Sequence, residues 1–283
     1  MQRSFKSAVL ALFIAPHSLV PGELLSAPKD YHASYELSVG SSTNVFDTDI
    51  LIDSRDGSIS REIDLEDDLG FDNEVNLTWI NAHWRIADRH ALELIYTPIR
   101  RATYFENRKD IDLGDKVIKA GASISSDVKT HLFDIEYTYS LYKDQQTEVG
   151  ISGGIYWMNS LTSVNAKGAL QEEGSEDVQF VESFEKSQRL VVPLPLFGLS
   201  ASHWLSDAWK VSANARILDV TINDIDGYLL NLNMDTSYYF TDHVGIGLSL
   251  SSFDLRVSQQ RVIFTNSIKY GYTGLLGYVT LRY

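Results

Sequence analysis

From residue 31 onward, hydrophobic and polar residues alternate with a period of two, and no convincing stretch has the 3.6-residue period of a helix. The last thirteen residues, Gly271–Tyr283, show the pattern at its simplest. One face of this predicted strand is mostly apolar and carries Leu275, Gly277, Val279, Leu281 and Tyr283. The other face carries Tyr278, Thr280 and Arg282, with Leu276 as the exception. The pattern predicts a strand with two unlike environments.

Ten segments share this alternation, and most exceed the roughly 5–6 residues usual for strands in globular sheets. They reach the roughly 9–11 residues that a tilted membrane-spanning strand requires. The predicted strands are His32–Val45, Glu74–Ile86, His90–Phe105, Val128–Tyr142, Glu148–Val164, Arg189–Trp204, Trp209–Thr221, Tyr228–Phe240, Val244–Val257 and Ser267–Tyr283.

The connections between these strands are of two kinds, which alternate along the chain. Four are short, polar and contain an Asp: Ala87–Arg89, Lys143–Thr147, Leu205–Ala208 and Thr241–His243. Five are longer or more variable: Phe46–Asn73, Glu106–Asp127, Asn165–Gln188, Ile222–Gly227 and Ser258–Asn266. This alternation predicts an all-β protein: a closed, antiparallel, up-and-down transmembrane β-barrel of about ten strands, with short turns on the periplasmic side.

Aromatic side chains beside the short connections and the terminus predict a girdle at the level of the lipid headgroups. The predicted girdle consists of Trp84, Tyr142, Trp204, Trp209, Tyr239, Phe240 and Tyr283. The alternative is a secreted or periplasmic β-sandwich or lipocalin-like barrel, whose apolar faces would surround a core.

Residues 1–27 have the features of a cleaved export signal, so residues 28–283 are expected to form one barrel domain. Arg3 and Lys6 precede the short apolar run Ala8–Ala15. The alternative, a buried N-terminal helix, conflicts with two prolines inside the segment.

Composition excludes several functions. A net charge of −14 argues against a nucleic-acid partner. The absence of cysteine excludes disulfides, thiol catalysis and Cys-liganded zinc. The motifs Gly-x-Ser-x-Gly, the P-loop and His-Glu-x-x-His are also absent, so no catalytic residue, metal site or cofactor is predicted.

Across Tyr31–Tyr283 the chain resembles a Gram-negative outer-membrane β-barrel protein, and Ile63–Phe71 with the turn ending at His90 resembles an uncharacterised proteobacterial barrel family. The resemblance implies insertion by the barrel assembly machinery, which reads the terminal aromatic residue, and contact with outer-membrane lipids and lipopolysaccharide. It implies no established activity and leaves the oligomeric state open. The chain departs from the omptin proteases, because its Asp-x-His pair, Asp88 and His90, and its adjacent pair, Asp242 and His243, lie at predicted periplasmic turns.

Eight ionisable side chains are predicted to point into the lumen: His83, Arg85, Glu93, Asp134, Glu136, Arg216, Asp235 and Arg282. A ten-stranded barrel has a narrow interior, so these charges must pair. We therefore expect a non-enzymatic barrel with surface loops and a largely filled polar lumen. The alternatives are a narrow porin-like channel for small solutes, an active site in the lumen, and a lipid-modifying hydrolase on the outer face that uses His131, which is otherwise an interfacial side chain.

Two acidic stretches fall in predicted external loops. The first contains Asp64, Glu66, Asp67, Asp68, Asp72 and Glu74. We interpret it as a hydrated or barrel-plugging loop, with bound Ca²⁺, or Mg²⁺ bridging to lipopolysaccharide, as the alternative. The second contains Glu172, Glu173, Glu176, Asp177, Glu182 and Glu185 and is interpreted as a hydrated loop, with partner binding as the alternative.

Overall fold

The computed structural model describes residues 31–54, 60–67, 70–106, 110–112, 116–172, 178–222, 225–260 and 264–283. The predicted export signal lies outside them. The described residues form a closed, antiparallel ten-stranded barrel, which confirms the predicted fold class. Within these residues, no helix has the length and apolar character needed to cross a membrane.

Ten long strands build the barrel wall. They are β1 (Tyr35–Ser54), β3 (Glu74–Ala87), β4 (His90–Glu106), β7 (Ser123–Lys143), β8 (Thr147–Glu172), β9 (Val178–Trp204), β10 (Trp209–Ile222), β11 (Ile225–Tyr239), β12 (Val244–Gln260) and β13 (Phe264–Arg282). Three short strands, β2 (Ser60–Asp64), β5 (Ile111–Asp112) and β6 (Lys116–Ile118), extend the sheet at one end.

The wall closes where the first and last strands pair. β1 and β13 are in continuous antiparallel register from the Glu36–Arg282 pair to the Ser54–Phe264 pair. At the end of this seam, Tyr35 and Tyr283 exchange two backbone hydrogen bonds of 2.8 Å each. Closure leaves no open edge, which is the condition for a sheet to exist in lipid, where no water can satisfy unpaired N–H and C=O groups.

One end of the barrel, here called the short-turn end, carries the four tight connections and the C-terminus, as predicted. The turn after β7 shows how its sequence makes it tight. The Asp144 carboxylate accepts hydrogen bonds from the backbone N–H groups of Gln146 (2.9 Å) and Thr147 (2.7 Å) and from the Tyr142 hydroxyl (2.6 Å). An Asp that bonds backbone groups two and three residues ahead is a standard turn former.

The opposite end, here called the long-hairpin end, differs from the prediction. Much of what was predicted as loop is strand, and the loop predicted at Asn165–Gln188 is largely the paired ends of β8 and β9. The alternation weakens there because polar residues occur on both faces, while backbone pairing continues. At the long-hairpin end, most predicted strands are therefore shorter than the observed ones. The first strand was also predicted too long at its start, because it begins at Tyr35 rather than His32.

The two faces of the wall have the opposite polarity to those of a water-soluble barrel. On β12, Leu248 and Leu250 point outward and are 54% and 60% exposed, whereas Ser249 between them points inward and is 4% exposed. The same pattern runs along the other long strands. An apolar exterior around a polar interior fits lipid surroundings and argues against the soluble sandwich.

The interior has an apolar layer in its long-hairpin half. It is a single cluster of inward side chains that includes residues of nine wall strands: Phe46, Leu77, Ile99, Leu132, Tyr156, Met158, Leu194, Leu196, Leu218, Leu229, Phe253 and Leu255. A second cluster lies beyond it, nearer the long-hairpin end: Leu65, Phe71, Ile118, Ala122, Ile124 and Ala166.

The Asp144 turn predicts a pH-dependent contribution to stability. Its hydrogen bonds, first that from Tyr142, lower the pKa of Asp144 to about 2, below the usual value of about 3.9. The stabilisation is therefore complete above about pH 4 and is lost as the pH falls through about 2. Asp144→Ala should lower the urea midpoint of the folded barrel at pH 7 and have little effect below pH 2. Gln145→Ala, in the same turn, serves as the control, and an equal effect of Asp144→Ala at both pH values would contradict the assignment.

Two adjacent glycines predict opposite responses to a methyl group. A Cβ on Gly154 would overlap the carbonyl oxygen of Ile135 and lie 2.9 Å from the Cα of Glu136, so β7 and β8 would have to separate. A Cβ on Gly153 meets its nearest atom at 3.9 Å. We expect Gly154→Ala to lower the free energy of unfolding by about 1–3 kcal/mol, measured by urea titration with heat-modifiable gel migration. Gly153→Ala should be near neutral, and equal effects would refute the strand spacing.

Candidate functional site

A polar cavity of about 280 Å³ occupies the short-turn half of the barrel. It runs from Tyr31 and His32 to the apolar layer, where Leu132 and Tyr156 border it. Among the described residues, six carboxylates and three Lys or Arg side chains line it: Glu36, Glu93, Asp134, Glu136, Glu148, Asp235, Arg85, Lys210 and Arg216. The cavity therefore has an excess of negative charge when its histidines are neutral.

Four of the charged side chains form a group, here called the Arg216 cluster, in which Arg216, Asp134 and Glu136 are buried and Glu93 is half-buried. Arg216 Nε lies 2.5 Å from Glu136 Oε2 and 3.5 Å from Asp134 Oδ2, and Arg216 Nη2 lies 3.0 Å from Glu93 Oε2. Arg216 Nη1 also donates to Asn214 Oδ1 over 2.7 Å. One guanidinium thus serves three carboxylates at the wall of the polar cavity.

The register of the wall explains why this arginine is required. Glu93 on β4 and Glu136 on β7 lie directly opposite each other and both point inward. Like charges in this cross-strand position repel. Arg216 comes from β10, which is separated from β7 by β8 and β9, and reaches the pair across the lumen. It neutralises the repulsion and joins opposite walls.

One oxygen of the cluster is unsatisfied. Asp134 is 6% exposed, and its Oδ1 has no hydrogen-bond partner among the described residues. In the described part of the chain, no group of three or more His, Asp or Glu side chains has the arrangement of a metal site. The guanidinium of Arg216 lies where a shared cation would have to bind. The chemistry that this arrangement supports is ion pairing and proton binding.

The other predicted lumen residues also face inward, but they do not join the Arg216 cluster. Arg85 forms a bidentate pair with Glu148, at 2.9 and 2.7 Å, and His32 Nδ1 lies 3.3 Å from the same carboxylate. His83 lies in register between Glu36 and Glu93.

Asp235 and Arg282 lie in two further places. Asp235 pairs in register with Ser249 on β12. Arg282 lies at the short-turn end, between the rings of Trp204 and Tyr239, at 4.6 and 4.4 Å from their centroids. The predicted set is therefore divided among several local groups rather than one network.

Trp204 and Tyr239 correct the predicted aromatic girdle. They are 2% and 4% exposed and point into the barrel. Their position beside a turn suggested the lipid interface, but each lies at an inward position of its strand, where it packs on Arg282. The other five face outward and are exposed: Trp84, Tyr142, Trp209, Phe240 and Tyr283. Their contact with lipid headgroups stays a prediction.

Part of the first acidic stretch is bound to an inward arginine of the barrel wall. Arg101 Nη2 donates to Glu66 Oε1 (2.6 Å) and to the Asp72 carbonyl (2.9 Å), and Arg101 Nη1 donates to Thr48 Oγ1 (3.2 Å). Asp64 instead accepts hydrogen bonds from backbone N–H groups of its own turn. Asp68 lies outside the described residues.

The second acidic stretch is described in part. Of its side chains the structure describes that of Glu185, which is exposed.

Sequence reasoning missed several partners of the predicted charges. Glu36, Glu148 and Lys210 lie at inward positions that strand parity could have identified. The Arg101–Glu66 pair could not be found in this way, because Glu66 lies in a segment that was predicted as loop.

His131, the candidate for a lipid hydrolase, points outward. Its Nδ1 lies 2.8 Å from the Tyr96 hydroxyl, and its cross-strand neighbours are Pro98 and Asn159. The described strands thus bring no serine beside it in register, and the lipid-hydrolase alternative stays a hypothesis.

No protein-family model and no curated protein sequence matches the chain. Among solved structures, it is similar to the outer membrane protease OmpT from Escherichia coli, with a TM-score of 0.57 and 11% identity over 92% of this chain and 99% of that one. The Pseudomonas putida toluene transporter TodX gives a TM-score of 0.34 and 7% identity over 88% and 90% of the two chains. Neisserial surface protein A gives a TM-score of 0.29 and 12% identity over 89% of this chain and 98% of that one.

At such identities the OmpT similarity shows the fold alone. The chain has the fold of Gram-negative outer-membrane β-barrels, which confirms the resemblance at the level of architecture. Activity does not follow from it, because one fold serves many functions.

The Arg216 cluster predicts a large stability loss when its cation is removed. Arg216→Met leaves the buried carboxylates of Asp134 and Glu136 and the half-buried carboxylate of Glu93 without their counter-ion, so the free energy of unfolding should fall by about 3–5 kcal/mol. Urea titration of the refolded barrel measures the loss. Arg256→Met is the matched control, because Arg256 is exposed and pairs with Asp254 at the surface. A loss no larger than that of the control would refute the structural role of Arg216.

Proposed function

We propose that this chain is a non-enzymatic, non-conducting β-barrel of the bacterial outer membrane that presents its long hairpins to the surroundings. The short-turn end would face the periplasm and the long-hairpin end the exterior. The outward apolar belt, the closed wall and the fold shared with outer-membrane barrels support this location. Export through a cleaved signal is part of the proposal.

The apolar layer is the observation that carries the non-conducting character. Leu229, Leu255, Leu196 and Ile99 come from four different strands, and each is at most 2% exposed. They belong to one hydrophobic cluster within the lumen, just beyond the polar cavity. An ion crossing this layer would have to lose its hydration without gaining polar partners, which is costly. The polar cavity would then end at this layer and not form part of a continuous pathway.

The hairpins at the long-hairpin end supply the exposed surface that the proposal requires. β8 has 26 residues and β9 has 27, whereas a tilted strand needs about 9–11 residues to cross the membrane. The excess length would project well beyond the lipid as a paired ribbon. An extended, paired surface of this kind fits contact with other molecules better than transport through the lumen.

An enzymatic function has less support from the described residues. The pairs Asp88–His90 and Asp242–His243 lie at or beside turns of the short-turn end, away from the proposed external surface. The similarity to OmpT carries the fold and not its protease activity.

The closed lumen is tested in planar bilayers with protein extracted from isolated outer membranes. The wild type should give no current above background, because the apolar layer blocks ions. Tyr156→Ala combined with Phe253→Ala removes two rings of the layer whose centroids are 5.8 Å apart, and should produce measurable current.

The matched control is Phe133→Ala with Trp157→Ala, an aromatic cross-strand pair on the outer face. This control should stay silent. Clear current through the wild type would favour the narrow channel instead, and recovery of the protein in the soluble periplasmic fraction would refute the outer-membrane location.

A further inference from the structure

The apolar exterior ends at nearly the same level on four neighbouring strands, β4, β7, β8 and β9. The continuous run of apolar outward side chains ends at Pro98, Phe133, Trp157 and Val191, which lie within two residues of one another in the strand register. Beyond them, toward the long-hairpin end, most outward positions are polar or charged, with Leu161 and Tyr104 as exposed hydrophobic exceptions. This level marks the edge of the hydrocarbon region on this side of the barrel.

Three cations lie in one line just beyond that edge. In the strand register Arg100 pairs with Lys129, Lys129 with Leu161, and Leu161 with Arg189. We call Arg100, Lys129 and Arg189 the basic row. All three point outward and are exposed, and the row crosses three interstrand spacings, about 14 Å.

The basic row keeps a positive excess after its internal contacts. Asp127 lies 3.0 Å from Lys129 and 3.7 Å from Arg100, so one carboxylate serves two cations. Arg189 Nε donates to the Asn159 amide oxygen over 3.1 Å. Among the described contacts, three cations against one anion give a local net charge of +2 in a chain whose net charge is −14. The row is therefore a local exception to the charge of the molecule.

A comparable position elsewhere on the barrel lacks this excess. On β12 and β13, Arg256 pairs with Asp254 at 2.8 Å and Lys269 with Asp49 at 3.7 Å. Each cation there has its own carboxylate. On β12 and β13, each of these outward cations is thus paired with a carboxylate. Along the basic row, the cations outnumber the carboxylate that contacts them.

The surface directly below the row combines apolar rings with polar tips. The Tyr96 ring stacks on Phe133, with centroids 4.7 Å apart, and its hydroxyl meets His131. Such side chains suit the boundary where acyl chains end and headgroups begin. Phosphate groups of a lipid whose chains lie against these rings would meet the cations above them.

We propose that the basic row binds the phosphate groups of the lipid A part of lipopolysaccharide. The choice of this lipid rests on the proposed orientation, which puts the row in the outer leaflet. Arginine and lysine both suit phosphate oxygens, and a row about 14 Å long can contact more than one phosphate of the same lipid.

The test measures the dissociation constant of purified protein in nanodiscs for diphosphoryl lipid A. Each cation near an anionic headgroup contributes about fivefold in affinity, so Lys129→Gln with Arg189→Gln should weaken binding about 25-fold. The control is Arg256→Gln with Lys269→Gln, which removes one Arg and one Lys from the balanced ion pairs of β12 and β13. It should change the constant by less than about twofold.

Two further probes separate phosphate recognition from general attraction to anions. Monophosphoryl lipid A should bind the wild type about fivefold more weakly, because one phosphate is missing. Phosphatidylglycerol should bind weakly and should respond equally to both variant pairs. Equal losses from the two pairs with diphosphoryl lipid A, or phosphatidylglycerol binding as tightly as lipid A, would overturn the proposal.

Heat-modifiable migration shows that each variant is folded before binding is measured. The single variant Lys129→Glu provides a second test if the pair does not fold, and it should weaken lipid A binding at least as much as the loss of one cation. Because binding uses purified protein, its failure is distinguishable from a failure of the proposed location or of the closed lumen.

Discussion

The backbone hydrogen bonds between the first and last strands are the constraint on which the rest of the structure depends. A sheet in lipid cannot leave N–H and C=O groups unpaired, so the wall must close. The seam from Tyr35 to Ser54 against β13 satisfies this condition over the whole length of both strands. Closure also fixes which side of every strand faces the lumen. The positions of the interior charges and of the lipid-facing side chains both follow from it.

The narrow, closed interior then limits which partners its polar side chains can have. The charges cannot all be hydrated, so each must have a partner within reach. Arg216 meets this need for three carboxylates, Arg85 for Glu148, and Arg101 for Glu66. Between the Arg216 cluster and the Arg101–Glu66 pair lies the apolar layer. The lumen is thus a series of separate layers, in which these ion pairs form within a layer, and this layering is the physical basis for proposing a closed barrel.

The exterior follows the same alternation with opposite polarity. Apolar side chains cover the wall for the depth of the hydrocarbon, and backbone pairing continues beyond it into the long hairpins. At the edge of the apolar belt, strand register places Arg100, Lys129 and Arg189 side by side, although they are far apart in sequence. This chain shares its fold with a protease but has a surface of its own. Its function must therefore be sought in such local features rather than in the architecture.

The sequence by itself determined the class of fold, the short turns and the face of most side chains, because a period of two and a turn-forming Asp are local properties. It did not determine where the strands end, since pairing continues where alternation fades. Nor did it determine which charges meet: Arg216 and Glu93 are 123 residues apart and join only across the closed lumen. Trp204 and Tyr239 were misplaced because nearness to a turn was given more weight than strand parity. Contacts across the barrel depend on closure and register, and these exist only in the tertiary structure.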